Sequence, residues 1–103
     1  MLVVLTTVPN MNEGETLAEA VVTARFAACV QILPPMTSVY VWEGKLQKES
    51  EHLLLIKTLP EKWDELAAFI TENHSYDVPE IVAIDAANVS EPYRAWLGSV
   101  LKA

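Results

Sequence analysis

The sequence predicts an α+β domain in which an antiparallel sheet carries two helices on one face. Apolar strand-like segments alternate with amphipathic helical segments, and turn residues separate them. Their order is βαββαβ followed by a last short helix, which is the split βαβ, or ferredoxin-like, arrangement. With 103 residues and no linker, repeat or low-complexity segment, the chain is expected to form one domain over residues 1–103.

Five segments have the composition of strands, because they are rich in Val, Ile, Leu and Tyr and are bounded by Pro, Gly or polar residues. The predicted strands are residues 2–8, 29–33, 38–46, 52–58 and 80–86. Pro34 and Pro35 separate the second predicted strand from the third. Because proline cannot donate a hydrogen bond to a neighbouring strand, a bend or bulge within one long strand is expected. The polar residues 47–51 are the predicted turn of a hairpin.

Three segments repeat apolar residues at helical spacing. Their predicted N-caps are Asn12, Thr58 and Ser90. Thr58 is expected to form a capping box with Glu61. The first helix is predicted to end near residue 28 and the second near residue 73. The third is short, and its apolar stripe consists of Trp96, Leu97, Val100 and Leu101.

The apolar content predicts an interface between subunits. Hydrophobic residues make up 51% of the chain and charged residues 20%, which is a high ratio for a small monomer. Val39 and Val41 lie on one parity of the third strand, and Tyr40 and Trp42 lie on the other. Two helices cover only one face of the sheet, so sheet packing between subunits is the simplest cover for the second face. Tyr40 and Trp42 are the predicted interface residues.

The charge of the chain disfavours two classes of partner, and its cysteine content indicates a cellular compartment. A net charge of −7 and a pI near 4.6 disfavour binding to nucleic acid and to anionic membranes. Cys29 is the single cysteine, so no internal disulfide can form, which fits a reducing compartment. The first apolar run is too short to span a bilayer and no basic region precedes it, so we expect neither signal peptide nor anchor. A cytoplasmic location is the expectation.

Three stretches resemble one known family. They are ARFAACVQILPPMTSVYVWEGKLQKESEHLLLIKT, HSYDVPEIVAI and YRAWL, which appear in the family's order and span nearly the whole chain. The chain resembles the CutA family, named for divalent-cation tolerance. The resemblance implies a ferredoxin-like protomer in a tight homotrimer with the sheets facing inward. It also implies tolerance of copper or other divalent metals, and a trimer similar to the PII signalling proteins. No enzymatic reaction comes with it.

The resemblance places a candidate site at His74, Tyr76 and Glu80, which match the family motif HPYxxPE. A histidine nitrogen and a carboxylate oxygen suit Cu(II) or Zn(II), so His74 and Glu80 are the candidate metal ligands. The chain departs from the motif at Ser75, where the family has Pro, and it has Asn73 and Thr6 where some members have His and Cys. These departures weaken a copper site. The alternative is a structural loop in which Tyr76 packs and Glu80 caps or pairs.

The remaining cleft candidates are Cys29, Lys57 and Trp96, which the resemblance groups with His74, Tyr76 and Glu80 between subunits. Cys29 could be a soft metal ligand or a redox thiol, but a lone cysteine between an apolar helix end and an apolar strand is more often a small buried hydrophobe. Lys57 at the end of an apolar strand would bind an anionic ligand or form a salt bridge with Glu43 or Glu80. His52 is expected to be exposed and uninvolved, and the acidic pair Glu49 and Glu51 to be solvated.

Three functions stay open at this point. The first is a trimeric ligand-sensing or metal-handling protein without catalysis, which requires no cofactor and has Cu(II) or another divalent cation as a candidate ligand. The second is an interaction module that docks a protein partner through the trimer surface. The third is an enzyme that uses Lys57 and Glu80 as a polar pair, although nucleophile-elbow and phosphate-loop signatures are absent from the sequence.

Overall fold

The computed structural model describes residues 1–102 and shows one antiparallel sheet with three α-helices. The strands are β1 (Leu2–Val8), β2 (Cys29–Ile32), β3 (Met36–Trp42), β4 (Lys45–Thr58) and β5 (Val82–Asp85). The helices are α1 (Met11–Thr23), α2 (Trp63–Asn73) and α3 (Glu91–Leu101), and a 3-10 turn (Pro60–Lys62) leads into α2. The predicted mixed architecture, an antiparallel sheet with three helices, is confirmed.

The fourth strand organises the sheet. Its second half lies between β2 and β1, in the order β2-β4-β1-β5, and its first half pairs with β3. Strands β2 and β3 therefore follow one another along the same side of β4, with Pro34 and Pro35 at the bend between them, as predicted. Residues 36–51 form an arm beyond the end of β1, where Val8 pairs with His52. This arm helps to give the protomer its length of 45 Å against 26 and 22 Å.

The turn of the hairpin lies earlier than predicted. Glu43 and Gly44 form it, with φ angles of 51° and 76°, whereas residues 47–51 belong to β4. Two consecutive positive φ angles match the twist of antiparallel strands, and glycine adopts the second without strain. Residues 47–50 pair with β3 on the exposed arm, where solvated side chains are compatible with a strand, whereas Glu51 at the base of the arm is buried.

Two predicted helix caps are wrong. Asn10, not Asn12, caps α1, and its Oδ1 accepts a hydrogen bond from the Glu13 amide at 2.8 Å. The helix ends at Thr23, before Arg25 takes a φ of 62°. Thr58 remains in β4, where its hydroxyl donates to the Phe26 carbonyl at 2.7 Å, so it forms no capping box. A tertiary partner has overridden the local capping pattern.

The core lies between the sheet and the helices α1 and α2. Its fully buried residues include Val4, Val21, Leu54, Ile56, Leu66 and Ile70. A second cluster forms where α3 places Leu97 and Leu101 against Ala28. The face of the sheet that α1 and α2 leave uncovered is called the open face below. On β5 it leaves Val82 and Ile84 about half exposed. Within residues 1–102, no helix is long and apolar enough to cross a membrane.

Thr6→Val is expected to stabilise the protein. The Thr6 side chain is fully buried beside the core residues Val4 and Val8, and its hydroxyl has no hydrogen-bond partner within residues 1–102. Removing an unsatisfied buried hydroxyl should add about 1 kcal/mol to the free energy of unfolding, measured in urea. Thr7→Val is the control, since the Thr7 hydroxyl bonds to Glu51 and its loss should destabilise. A destabilised Thr6→Val variant would contradict the assignment.

Candidate functional site

The predicted site residues form two separate groups at opposite ends of the sheet. His74, Tyr76 and Glu80 lie beside the end of β1 and the base of the arm, whereas Cys29 and Lys57 pair with each other at the opposite end of β4. Thr7, which bonds His74, and Val3, which pairs with Lys57, are four residues apart on β1, or roughly 13 Å. One protomer therefore does not bring all six predicted cleft residues together.

His74 fixes the loop of residues 74–80, called the site loop below. Its Nε2 lies 2.7 Å from the carbonyl oxygen of Thr7, and its Nδ1 lies 3.1 Å from the amide nitrogen of Tyr76. A carbonyl only accepts, so the network assigns the proton to Nε2, and Nδ1 accepts from the amide. Both nitrogens of His74 are thus engaged by backbone groups, and the imidazole holds the loop against β1.

A buried carboxylate joins the site loop to the arm. The hydroxyl of Tyr76 donates to Oε2 of Glu51 at 2.7 Å, and Glu51 is only 7% exposed. Burial alone would raise the pKa of Glu51, but hydrogen bonds from Ser38, Tyr76 and Thr7 outweigh it and the pKa is lowered. Burial and then the bond to Glu51 raise the pKa of Tyr76 well above its usual value. Glu51 is therefore a structural anion.

The prediction that Glu51 is solvated is wrong, and the sequence held a signal against it. Glu51, Leu53 and Leu55 recur with period two, which places the carboxylate on the same face of β4 as the apolar residues. The same holds for His52, predicted to be exposed but in fact 8% exposed, since it alternates with Leu54 and Ile56 towards the core. His52 Nδ1 lies 2.8 Å from the Leu33 carbonyl oxygen at the bend.

An open cavity of about 580 Å³ lies between the site loop and the arm. Its wall on the arm includes the rings of Tyr40 and Trp42, and its wall on the loop includes two acidic side chains. The lining residues are Thr7, Ser38, Val39, Tyr40, Trp42, Glu51, Tyr76, Asp77, Val78 and Glu80. Tyr76 and Glu80 of the predicted site and both predicted interface aromatics thus meet at one cavity.

The described residues do not form a metal centre. Both nitrogens of His74 are occupied, and Glu80 lies on an exposed stretch of chain. Within residues 1–102, no group of three or more His, Cys, Asp or Glu side chains is placed to hold a metal ion. A tight divalent site needs about three or four such ligands. The metal role of His74 and Glu80 stays a prediction that the protomer geometry does not favour.

The second group of predicted site residues, around Cys29 and Lys57, combines a basic side chain with aromatic rings. The Lys57 ammonium lies 5.7 Å from the centroid of the Tyr93 ring, and that ring lies 5.5 Å from the ring of Trp96. Cys29 is partly buried beside Tyr93, whose pKa is raised first by burial and then by Cys29. Trp96 is 44% exposed, so it does not complete the apolar stripe of α3.

The predicted salt bridge of Lys57 is wrong. The ion pair found within residues 1–102 joins Arg94 to Glu91 at 3.5 Å. Glu43 lies at the tip of the arm, a full strand length from Lys57, and Glu80 lines the cavity at the other end of the open face. Lys57 instead contacts an aromatic face, which attracts a cation through the ring quadrupole.

These features define a class of small α+β proteins with an antiparallel sheet, a protruding hairpin and an open sheet face. The family model described as CutA1 divalent ion tolerance protein matches residues 2–100. The chain belongs to this family.

Relatives match over most of the chain. It is 46% identical over 96 residues to Protein CutA, chloroplastic, of Arabidopsis thaliana, which covers 93% of the chain and 53% of the relative. It is 43% identical over 95 residues to the divalent-cation tolerance protein CutA of Thermus thermophilus, and the match covers 92% of each. The chain thus spans about half the length of the plant relative and nearly all of the bacterial one.

Solved structures share the fold. The Cut A1 divalent cation tolerance protein from Thermus thermophilus superposes with a TM-score of 0.90 at 43% identity, covering 94% of this chain and 95% of that one. The periplasmic divalent cation tolerance protein CutA from Archaeoglobus fulgidus gives a TM-score of 0.94 at 30% identity, covering 98% and 99%.

Proposed function

We propose that this protein is a homotrimeric, non-catalytic divalent-cation tolerance protein that binds a ligand at the cavity beside the arm. The observation that carries the proposal is the apolar surface on the arm and open face. Its exposed large residues are Val39, Tyr40, Val41, Trp42, Leu46, Val78, Val82 and Ile84. Soluble monomers rarely expose a patch of this kind. The strand order β2-β4-β1-β5 is also consistent with the ferredoxin-like topology that the sequence predicts.

The trimer is the first part of the proposal to test. Trp42 is 46% exposed and Leu46 is 72% exposed on the arm. These side chains stabilise the protein only if a second copy of the chain buries their apolar surface. Light scattering at micromolar concentration should give three times the protomer mass of 11.4 kDa. A monomeric mass would overturn the trimer and leave the apolar surface for another partner.

We favour ligand sensing of the PII-like kind over direct copper handling. The cavity has a volume of about 580 Å³, which is large enough for a small molecule. Within residues 1–102, no group of three or more His, Cys, Asp or Glu side chains is placed to hold a metal ion. Copper handling by His74 and Glu80 would require the imidazole to leave Thr7 or Tyr76, at the cost of backbone hydrogen bonds. Tolerance of divalent cations would then follow indirectly from sensing. A docking module would also be a trimer, so a metal-free trimer that binds no small ligand is the result that would favour it.

His74→Ala tests the metal role directly. We expect Cu(II) and Zn(II) titrated into the metal-free protein by calorimetry to bind equally in the variant and the wild type. The loss of two backbone hydrogen bonds should lower the free energy of unfolding by about 1–2 kcal/mol. His52→Ala removes the other histidine and is the control for general imidazole binding. Submicromolar binding that only His74→Ala abolishes would restore His74 as a ligand.

The non-catalytic part of the proposal rests on the separation of the polar pair that the sequence suggested. Lys57 and Glu80 lie at opposite ends of the open face, too far apart to act on one substrate within a protomer. A cytoplasmic location remains part of the proposal and is supported by the single cysteine, Cys29, which needs no oxidising compartment.

A further inference from the structure

A groove of about 300 Å³ lies between α1 and α2, on the side of the sheet opposite the open face. The first part of α1 and the last part of α2 form it, and its apolar lining residues are Val8, Leu17, Ala20 and Phe69. Val8 and Leu17 are buried in the core, whereas Ala20 and the Phe69 ring are partly exposed. Because the proposed trimer covers the open face, this groove is accessible in monomer and trimer alike.

The two helices that form the groove carry negative charge only. Their acidic residues are Glu13, Glu15 and Glu19 on α1 and Asp64, Glu65 and Glu72 on α2, and neither helix contains a lysine or an arginine. Lys62 precedes α2, and Arg25 follows α1, where its guanidinium donates to the Val100 carbonyl oxygen at 3.0 Å. Both cations therefore lie at the ends of the helices that are away from the groove.

Acidic side chains surround the apolar lining of the groove. Glu13 lines the groove on α1. On α2, Glu65 lies four residues before Phe69 and Glu72 lies three residues after it, and residues at these spacings share one face of a helix. No basic residue offsets the negative C-terminal end of α2, whereas Asn10 and Glu13 offset the positive start of α1. The groove therefore attracts positively charged groups.

The dimensions of the groove and its charges indicate a peptide segment rather than a small molecule. The volume lies at the lower limit of ligand pockets and suits one large apolar side chain. Glu65 and Glu72 are seven residues apart on α2, roughly 10 Å along the helix axis, so the negative charge extends beyond the groove. A chain that inserts one side chain reaches these carboxylates with its neighbouring residues.

We infer that the groove between α1 and α2 docks a lysine- or arginine-rich segment of a partner protein, which inserts one apolar side chain against Phe69 and places its cations beside Glu13 and Glu72. Burial of the apolar side chain supplies affinity, and the opposite charges speed the encounter and select the partner. The inference goes beyond the proposed ligand site, because it concerns the other side of the sheet and requires neither the cavity nor the trimer.

Fluorescence anisotropy with a labelled synthetic peptide tests the inference. The peptide consists of lysine and alanine with one central leucine, and a second peptide has serine in place of the leucine. In salt of about 0.15 M, where exposed charges are screened beyond roughly 8 Å, we expect the leucine peptide to bind saturably, with one site per protomer. The serine peptide should bind about tenfold more weakly, since it buries no large apolar side chain. Equal binding of the two peptides, or binding that does not saturate, would overturn the inference.

A matched pair of substitutions on α1 locates the site. Thr16 lines the groove and is exposed, so Thr16→Lys should block the groove, repel the peptide and weaken its binding by about tenfold. Thr23→Lys makes the same change at an exposed position seven residues further along α1, roughly 10 Å away and beyond the screening length, and should leave the affinity unchanged. Equal weakening in both variants would show attraction to overall charge only, and unchanged binding to Thr16→Lys would place the peptide elsewhere. Either result would refute the site.

Discussion

Trp42→Asp is expected to convert the proposed trimer into monomers. Trp42 lies in the last position of β3, on the same face of the arm as Tyr40, and is 46% exposed in the protomer. If a neighbouring subunit covers this ring, an aspartate there would leave a charge buried without a partner, which costs about 3–5 kcal/mol. Light scattering should then report the protomer mass of 11.4 kDa, and thermal unfolding should shift to a lower temperature.

Val22→Asp is the matched control for Trp42→Asp. Val22 is an exposed apolar residue at 36% exposure, but it lies on α1, on the opposite side of the sheet from the open face. It should tolerate aspartate with its trimeric mass unchanged. A Trp42→Asp protein that stays trimeric with unchanged thermal stability would remove Trp42 from the interface.

The fold was predictable because packed segments of the chain keep a regular spacing of apolar residues. Strand β1 and helix α2 match the predicted segments, since the core requires apolar residues at Val4, Leu66 and Ile70 in fixed phase. The errors fall where that constraint is absent. On the exposed arm, residues 47–51 carry no clear apolar alternation, so a polar strand could not be distinguished from a turn.

The candidate site was only partly predictable for a different reason. The motif indicated His74 and Tyr76, but their partners, Thr7 and Glu51, lie on other strands, and pairing between distant strands cannot be read from local sequence. A histidine near acidic residues in the sequence suggests a metal ligand, whereas the imidazole of His74 forms hydrogen bonds with two backbone groups. The roles of these side chains follow from strand register, which fixes Thr7 opposite Leu53 and brings Glu51 to the same end.

Tyr76→Phe should lower the stability of the protein in a way that depends on pH. At neutral pH the variant leaves the buried Glu51 carboxylate without one of its donors, and a hydrogen bond to a charged group contributes about 1.5–3 kcal/mol. The folded state holds the pKa of Glu51 below its ordinary value of 4.5. This group therefore contributes stability above that value, and the contribution is lost as the pH falls through the folded pKa.

The pH dependence gives the prediction its test. Urea unfolding at fixed protein concentration should show a large difference in stability between wild type and Tyr76→Phe at about pH 7. The difference should shrink as the pH falls through the lowered pKa of Glu51 and its carboxylate becomes protonated. In a double-mutant cycle, Tyr76→Phe should cost less stability in the Glu51→Gln background than in the wild type. The charge that the phenol stabilises is absent from that background. Tyr93→Phe, whose phenol faces Cys29 rather than a carboxylate, should lose little stability across this pH range. If Tyr76→Phe costs the same across this pH range, the phenol stabilises the loop by packing alone, and Glu51 is not the anion that ties the site loop to the arm.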